Sequence, residues 1–233
     1  MRADGGGALL GGLSSFTTEI AFATESSDRL DLINYVGGAS RNDLTLTLQE
    51  DGTALLWVDN IRLEGLNGID YNDLRDGEIH SIALTWDNTN GDYAIFVDGE
   101  ITDQGTGLAT GETLNGFNNF GELVFGQEQD AFIGAFDPDQ TFSGTLYDVR
   151  IFNEARTAPE IALNHQRSFD LSPAEAASIG LIANYQFEFD ANNEVIDTVG
   201  GRNLSIQHAA GAGFSMSTPT DQLHINELSL IHI

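Results

Sequence analysis

Between Glu128 and Gln140 the chain places four carboxylates, Glu128, Asp130, Asp137 and Asp139, and two side-chain amides, Gln129 and Gln140. No positive charge interrupts them. Like charges this close repel, and packing gains nothing from gathering them. A hard cation explains such a set, because calcium takes about six to eight oxygens from carboxylates, amide carbonyls and backbone carbonyls. Glu128 and Asp130 stand two residues apart, so at a strand end their side chains share a face while the Gln129 carbonyl can turn inward. The spacing is not that of an EF-hand. A solvated acidic loop is the plain alternative in a chain with 36 acids and 9 bases.

Other chemistry is sparser. No two histidines have metal-ligand spacing, and neither a Ser-His-Asp set nor a phosphate-cradling glycine loop is recognisable. Trp57 and Trp86 alternate with apolar neighbours and read as core. His80 lies in a strand and reads as core or edge, not as a ligand.

These residues need a frame, and the pattern of apolar residues supplies one. Phe16–Phe22 and Leu44–Leu48 repeat every two residues, as half-buried strands do. Ala54–Val58, Ile79–Trp86 and Leu181–Phe187 read as further strands, with Val195–Ile196 and Leu204–Ile206 after them. Asn90-Gly91 and Asp98-Gly99 are tight-hairpin signals, because the central residues of such turns need positive φ. Turn signals recur about every 8–12 residues over much of the chain, the spacing of a sandwich. Residues 104–121 read as a long loop. Thr157-Ala-Pro159-Glu160 and Ser172-Pro173-Ala-Glu175 have capping-box form, so two short helices are expected, reaching about Arg167 and Ile179.

Several of these pieces carry a resemblance. Leu123-Val124-Phe125-Gly126-Gln127-Glu128-Gln129-Asp130, then Gln140 and Phe142–Val149, resembles the calcium loop of the pentraxins, within the wider laminin-G and concanavalin A-like group. Phe16-Thr17-Thr18 resembles the opening strand. Thr85-Trp86 followed by Phe96-Val97-Asp98-Gly99 resembles the family's Trp-to-Asp-Gly hairpin. Ala158–Ile161 sits where its late helix begins, and Asn184-Tyr185 resembles its closing strand. The likeness covers roughly residues 13 to 210. It implies an all-β, two-sheet antiparallel jelly-roll sandwich with one or two short helices. It also implies two neighbouring Ca2+ ions bridged by Glu128 and Asp130. The Gln129 backbone carbonyl would join the first ion, and Asp137 and Gln140 the second. The family completes the first site with an Asp-Asn pair from an earlier loop; here that pair is Arg41-Asn42, so Asp43 must supply the carboxylate. The family's disulfide is absent, since Glu19 and Ala83 stand at the matching places and the chain has no cysteine. That departure points to a bacterial relative.

Glu188, Asp190 and Glu194 form a second constellation, Glu-x-Asp-x3-Glu. Glucanases of the same jelly-roll shape carry such a motif, one Glu as nucleophile and the other as general acid. Glu188 and Asp190 alternate onto one face, but Ala191–Asn193 reads as a turn that carries Glu194 away. The reading is therefore a binding module and not an enzyme. It is a calcium-dependent recognition domain for glycans or anionic phosphate or carboxylate groups, with a glycoside hydrolase and a calcium-rigidified adhesin spacer as the alternatives.

The net charge of −27 argues against nucleic acid or an anionic membrane as a direct partner. Apolar runs are short, so no membrane insertion is expected. Residues 1–12 read as a flexible flank, 13–210 as the sandwich and 211–227 as linker. Residues 228–233 match one reading frame of a common sequencing adapter. A secreted or cell-surface location is expected, with any signal outside this chain.

Overall fold

The computed structural model describes residues 9–37, 42–116, 121–129, 140–167, 169–192, 194–208, 214–217, 222–225 and 229–232, with side chains up to residue 205. The chain runs β1 (Ser15–Ala23), β2 (Leu30–Val36), β3 (Leu44–Leu48), β4 (Ala54–Val58), β5 (Ile61–Leu66), β6 (His80–Asp87), β7 (Asp92–Val97), β8 (Glu100–Gly105), β9 (Glu122–Phe125) and β10 (Gly144–Phe152). Helices α1 (Ala158–Asn164) and α2 (Pro173–Ser178) follow. Then come β11 (Leu181–Phe189), β12 (Glu194–Asp197), β13 (Leu204–His208), β14 (Phe214–Ser217), β15 (Gln222–Ile225) and β16 (Ser229–His232).

The strands form two antiparallel layers. The first has the order β8-β7-β6-β1-β10-β11, the second β5-β4-β3-β2-β9, and β12, β13 and β16 join them along one edge. Trp86 is wholly buried and donates its indole N–H to the Leu108 carbonyl at 2.9 Å. Phe125 of β9 meets Tyr185 of β11 across the layers, centroids 6.1 Å apart. The alternation expected of half-buried strands holds on β10, where Val149 and Ile151 enter the core and Asp148 and Arg150 lie on the opposite face. The helices cover part of that outer face. Ile161 of α1 packs on Ala83 and Phe96, and Ala176 of α2 on Phe152 and Leu181.

Both helices begin as their capping boxes predict: the Thr157 and Ser172 amides donate to Glu160 and Glu175 at 2.8 and 2.9 Å. They end at Asn164 and Ser178, the first one turn short of the expected Arg167. Trp57 is only partly buried, with Arg62 over its ring at 5.7 Å, because β4 alternates Leu56 and Val58 inward. The hairpin at Asp59-Asn60, with φ of 46° and 60°, leads into β5, which the sequence reading did not find.

Ordered packing starts earlier than residue 13. Leu9 and Leu10 are in the core, two adjacent leucines without periodicity in a glycine-rich run. Segments 214–217 and 222–225, read as linker, pair with each other as β14 and β15, and β15 pairs with β10. Ser229–His232 pairs with β13 and β9 as β16.

One carboxylate closes the end of the sandwich. Buried Asp197 accepts through Oδ1 from the amides of Asn184, Val199 and Gly200 at 3.1, 3.0 and 2.9 Å, and through Oδ2 from that of Arg202 at 3.1 Å. Asp197→Ala orphans these donors and is expected to lower the unfolding free energy by roughly 2–4 kcal/mol, read as a shift of the urea midpoint at constant m.

A candidate metal-binding loop and its buried floor

β2 and β3 are buried along their whole lengths. Their outer face is polar nonetheless. Asp31 pairs across the ladder with Thr47, and Asn34 with Thr45. Both pairs are hydrogen-bonded: Asn34 Nδ2 donates to Thr45 Oγ1 at 2.7 Å and the Thr47 hydroxyl donates to Asp31 Oδ1. β9 extends this floor, with Leu123 and Phe125 facing the core and Glu122, opposite Val36, on the outer side.

The acidic segment leaves β9 directly onto this floor. Glu128 is 6% exposed, and its Oε2 accepts from Arg29 at 2.8 Å. The same Arg29 nitrogen donates to Asp31 Oδ1 at 2.8 Å. Gln129 is fully buried and donates Nε2–H to the Glu122 carbonyl at 3.0 Å. Its Oε1 is buried with no hydrogen-bond partner, and so is Oε1 of Gln140. The two ends of the segment are tied: the Glu128 amide and Gln127 Nε2 both donate to the Gln140 carbonyl, at 3.2 and 2.8 Å. Glu128 and Gln140 are thereby held together at the base of the segment, with Gln129 next in sequence. Asp130, Asp137 and Asp139 lie outside the described residues, as does Arg41.

Asn42 and Asp43 sit at the start of β3. Asn42 Oδ1 accepts from Thr45 Oγ1 at 3.4 Å. Buried Asp43 accepts the Gly37 amide at Oδ2 and Asn115 Nδ2, at 2.7 Å, at Oδ1. Gly37 is required at its position: a Cβ there would stand 2.0 Å from the Asn115 carbonyl oxygen. Asp43 therefore secures the loop between β2 and β3.

The described donors fit a hard cation. A buried amide oxygen without a partner costs about 1–3 kcal/mol. Amide oxygens and carboxylates are the donor types calcium takes. Among the described residues no three acidic or histidine side chains form a metal-ligating group; two of the expected carboxylates, Asp130 and Asp137, are not among them.

Arg29 is what the sequence reading missed. Its signal was faint: one arginine in a chain with 9 bases, two positions before an aspartate in a largely apolar strand. Burial pushes Asp31 up to about 6, against the lowering effect of Arg29 and Thr47.

Asp190, the middle member of the Glu188, Asp190 and Glu194 set, is engaged in a turn. Asp190 Oδ1 accepts the amides of Asn192 and Glu194 at 2.8 and 3.0 Å, so it caps the turn between β11 and β12. Phe187, with φ of 56°, breaks the alternation before it. Glu188 is exposed on β11, and Glu194 opens β12.

Residues 9–195 match the model of the Pentaxin family. The chain is 35% identical over 137 residues to the rat sushi, von Willebrand factor type A, EGF and pentraxin domain-containing protein 1, a match of 57% of this chain and 4% of that protein. It is 30% identical over 176 residues to C-reactive protein 3.3 of Limulus polyphemus, covering 72% of this chain and 66% of that one. Among solved structures, a putative carbohydrate binding protein from Bacteroides ovatus superposes with a TM-score of 0.59 at 19% identity, covering 82% of this chain and 51% of the other.

Asp31 sets a test of the floor. Its folded pKa near 6 lies above the ordinary 3.8, so it favours the folded state below about pH 4 and loses that advantage as pH rises through 6. Arg29→Ala removes the guanidinium that offsets its charge. Discounted for the partial exposure of Arg29, the expected loss at pH 7 is about 1–3 kcal/mol. It should shrink as pH falls below about 6, in parallel denaturant titrations of both proteins.

Proposed function

Since this chain belongs to the pentaxin family, we propose that it is a calcium-dependent recognition module for glycans or for anionic phosphate and carboxylate groups. The observation that carries the calcium dependence is the tie between Glu128 and Gln140, the Glu128 amide donating to the Gln140 carbonyl at 3.2 Å, together with the buried, unpartnered side-chain oxygens of Gln129 and Gln140. Glu128, Gln129, Asp130, Asp137 and Gln140 would hold the ion, with Asn42 and Asp43 completing the set from the loop before β3. A bound calcium supplies an electrophilic coordination position for a ligand oxygen and reverses the sign of the local field. That reversal is what an acidic protein needs to hold an anion. The chain's own residues do the rest. Arg29 fixes the Glu128 carboxylate, and the Gln140 carbonyl draws the two ends of the loop together.

The glycan part of the reading is supported by the likeness to the putative carbohydrate binding protein from Bacteroides ovatus. The role is binding rather than catalysis, with Asp190 engaged in a turn and Glu194 on another strand. Among the described residues no helix is long and apolar enough to cross a membrane. We place the domain in an exported, secreted or surface-exposed protein.

Thermal unfolding in EDTA, in calcium and in magnesium tests the site. A metal that binds only the folded state adds about 2.7 kcal/mol at 100 times its dissociation constant. A calcium-specific rise in Tm is expected, abolished in Glu128→Gln. Equal curves in all three solutions would overturn the metal site and with it the mechanism of ligand capture.

A further inference from the structure

Arg150 of β10 is 3% exposed and stands between two carboxylates. Its Nε lies 3.3 Å from Oε2 of buried Glu19, on β1, and 3.2 Å from Oδ2 of Asp148. Both oxygens of Glu19, Oδ1 of Asp148 and Nε of Arg150 are buried without a hydrogen-bond partner. With all three groups ionised, one guanidinium faces two carboxylates, and one negative charge is left unmatched where burial makes it costly. A single proton makes the cluster neutral and adds a donor among the orphaned acceptors. The titration directions agree. Burial raises the Glu19 pKa against the lowering effect of Arg150, Arg156 and His165. Burial pushes Asp148 up to about 6, with Arg150 lowering it and Glu19 raising it further.

The same arginine holds a helix end. Its guanidinium donates to the carbonyl of Asn164, the last residue of α1, at 3.1 Å and lies over the Phe169 ring, 4.6 Å from its centroid. Residues 165–167 follow and form one wall of a cavity of about 520 Å³ beside α1. The other charged groups facing the cluster from α1 and the segment before it are Arg156, Glu160 and His165. Arg156 is paired with Glu154 and Glu160, and His165 Nδ1 donates to the Ala162 carbonyl at 2.9 Å. Across the cavity stand His80, which is paired with Asp76 and Asp98, the exposed Arg167 and Glu188, and the phenol of Tyr147. None of these positive groups is bonded to Glu19 or Asp148.

We propose that Glu19 and Asp148 hold one proton between them, and that this proton latches the end of α1 to the sheet. With the proton bound, the cluster is neutral and Arg150 keeps its bond to Asn164. When the proton leaves to solvent, the cluster carries a net negative charge that water relieves, and water reaches it where residues 165–167 lift from the sheet. Both carboxylates titrate above their ordinary values in the folded chain, so the latch is strongest below about pH 4 and weakens as pH rises through about 6. The cluster lies on the layer opposite the one that carries Glu128, so it does not rest on the calcium reading.

The test joins carbon-13 carboxyl titration by NMR to amide hydrogen exchange of residues 161–167, corrected for the intrinsic pH dependence of exchange. The informative amides are those of His165 and Arg167, which donate to the Ile161 and Asn164 carbonyls at 2.9 and 3.0 Å. The two carboxyls titrate as a pair, with an upper apparent pKa of about 6 expected; two values at about 4, the ordinary carboxylate range, would overturn the proposal. Protection of those amides is expected to fall by about tenfold or more between about pH 5 and about pH 8, since one pKa unit is a factor of ten. In Glu19→Gln, which leaves one carboxylate for one guanidinium, the profile is expected to be level. An equal fall in Glu19→Gln, or a level profile in the unaltered chain, would overturn the latch. His165→Gln and His80→Gln each remove a histidine, a side chain that titrates in the same window. The fall is expected to persist in both, and its loss in either would place the proton on that histidine instead. Should Glu19→Gln fail to fold, Asp148→Asn takes its place, and the carboxyl titration of the unaltered chain still decides.

Discussion

β2 and β3 are covered on both faces, and the polar side chains on their outer face must find partners inside the protein. A buried carboxylate such as Asp31 is tolerable only where donors and a counter-charge reach it. Thr47 supplies a donor from the neighbouring strand, and Arg29 supplies the charge. Arg29 then has a second bond to give, and gives it to Glu128. The orientation of the first acidic residue of the loop is thus inherited from a packing requirement of the sheet below. Were β2 half-exposed, Asp31 would be solvated and Arg29 would have no fixed position from which to hold Glu128.

The scarcity of positive charge makes each arginine count. Several of those described are sunk among carboxylates. Arg29 lies with Asp31 and Glu128, Arg150 with Glu19 and Asp148, and Arg156 with Glu154 and Glu160. A planar guanidinium serves several acceptors at once and stacks on rings, as Arg150 does on Phe169 and Arg156 on Phe152, which lysine does not match. The surface left behind is acidic, consistent with a net charge of −27. An anionic ligand would approach such a surface against its field, so it needs a cation brought in from outside.

The sandwich was legible because its signals are local. Alternation marked β1 and β3, Asp-Gly and Asn-Gly marked the hairpins, and paired Ser/Thr and Glu residues marked both helix starts. The loop was legible in composition, as a run of acids and amides with no positive charge between Glu128 and Gln140. What escaped depends on partners distant in sequence. Arg29 reaches Glu128 across 99 positions, and nothing near either residue announces the pair. Leu9 and Leu10 acquire meaning only from the core they enter. The cavity beside α1 was equally invisible, since Glu19, Asp148 and Arg150 come from two strands whose pairing must be known first. Asp43 reads in sequence as the carboxylate that replaces a missing aspartate, and only the backbone close to Asn115 reveals its role in holding the loop.

Among the described residues the ladder of strands ends at β5 and β8. A free border presents unpaired backbone groups and invites a strand from another molecule. Here β5 carries Arg62 and Glu64, and β8 carries Glu100 and Asp103, each beside an exposed isoleucine, Ile61 and Ile101. Two β8 borders meeting would bring acid against acid. β5, with its mixed signs and its partly exposed Trp57 on the neighbouring strand, is the more permissive of the two. The fold is therefore asymmetric in sociability: fibre-like stacking of copies through β8 is electrostatically discouraged, and uninvited strand addition, where it happens, should begin at the Asp59-Asn60 hairpin.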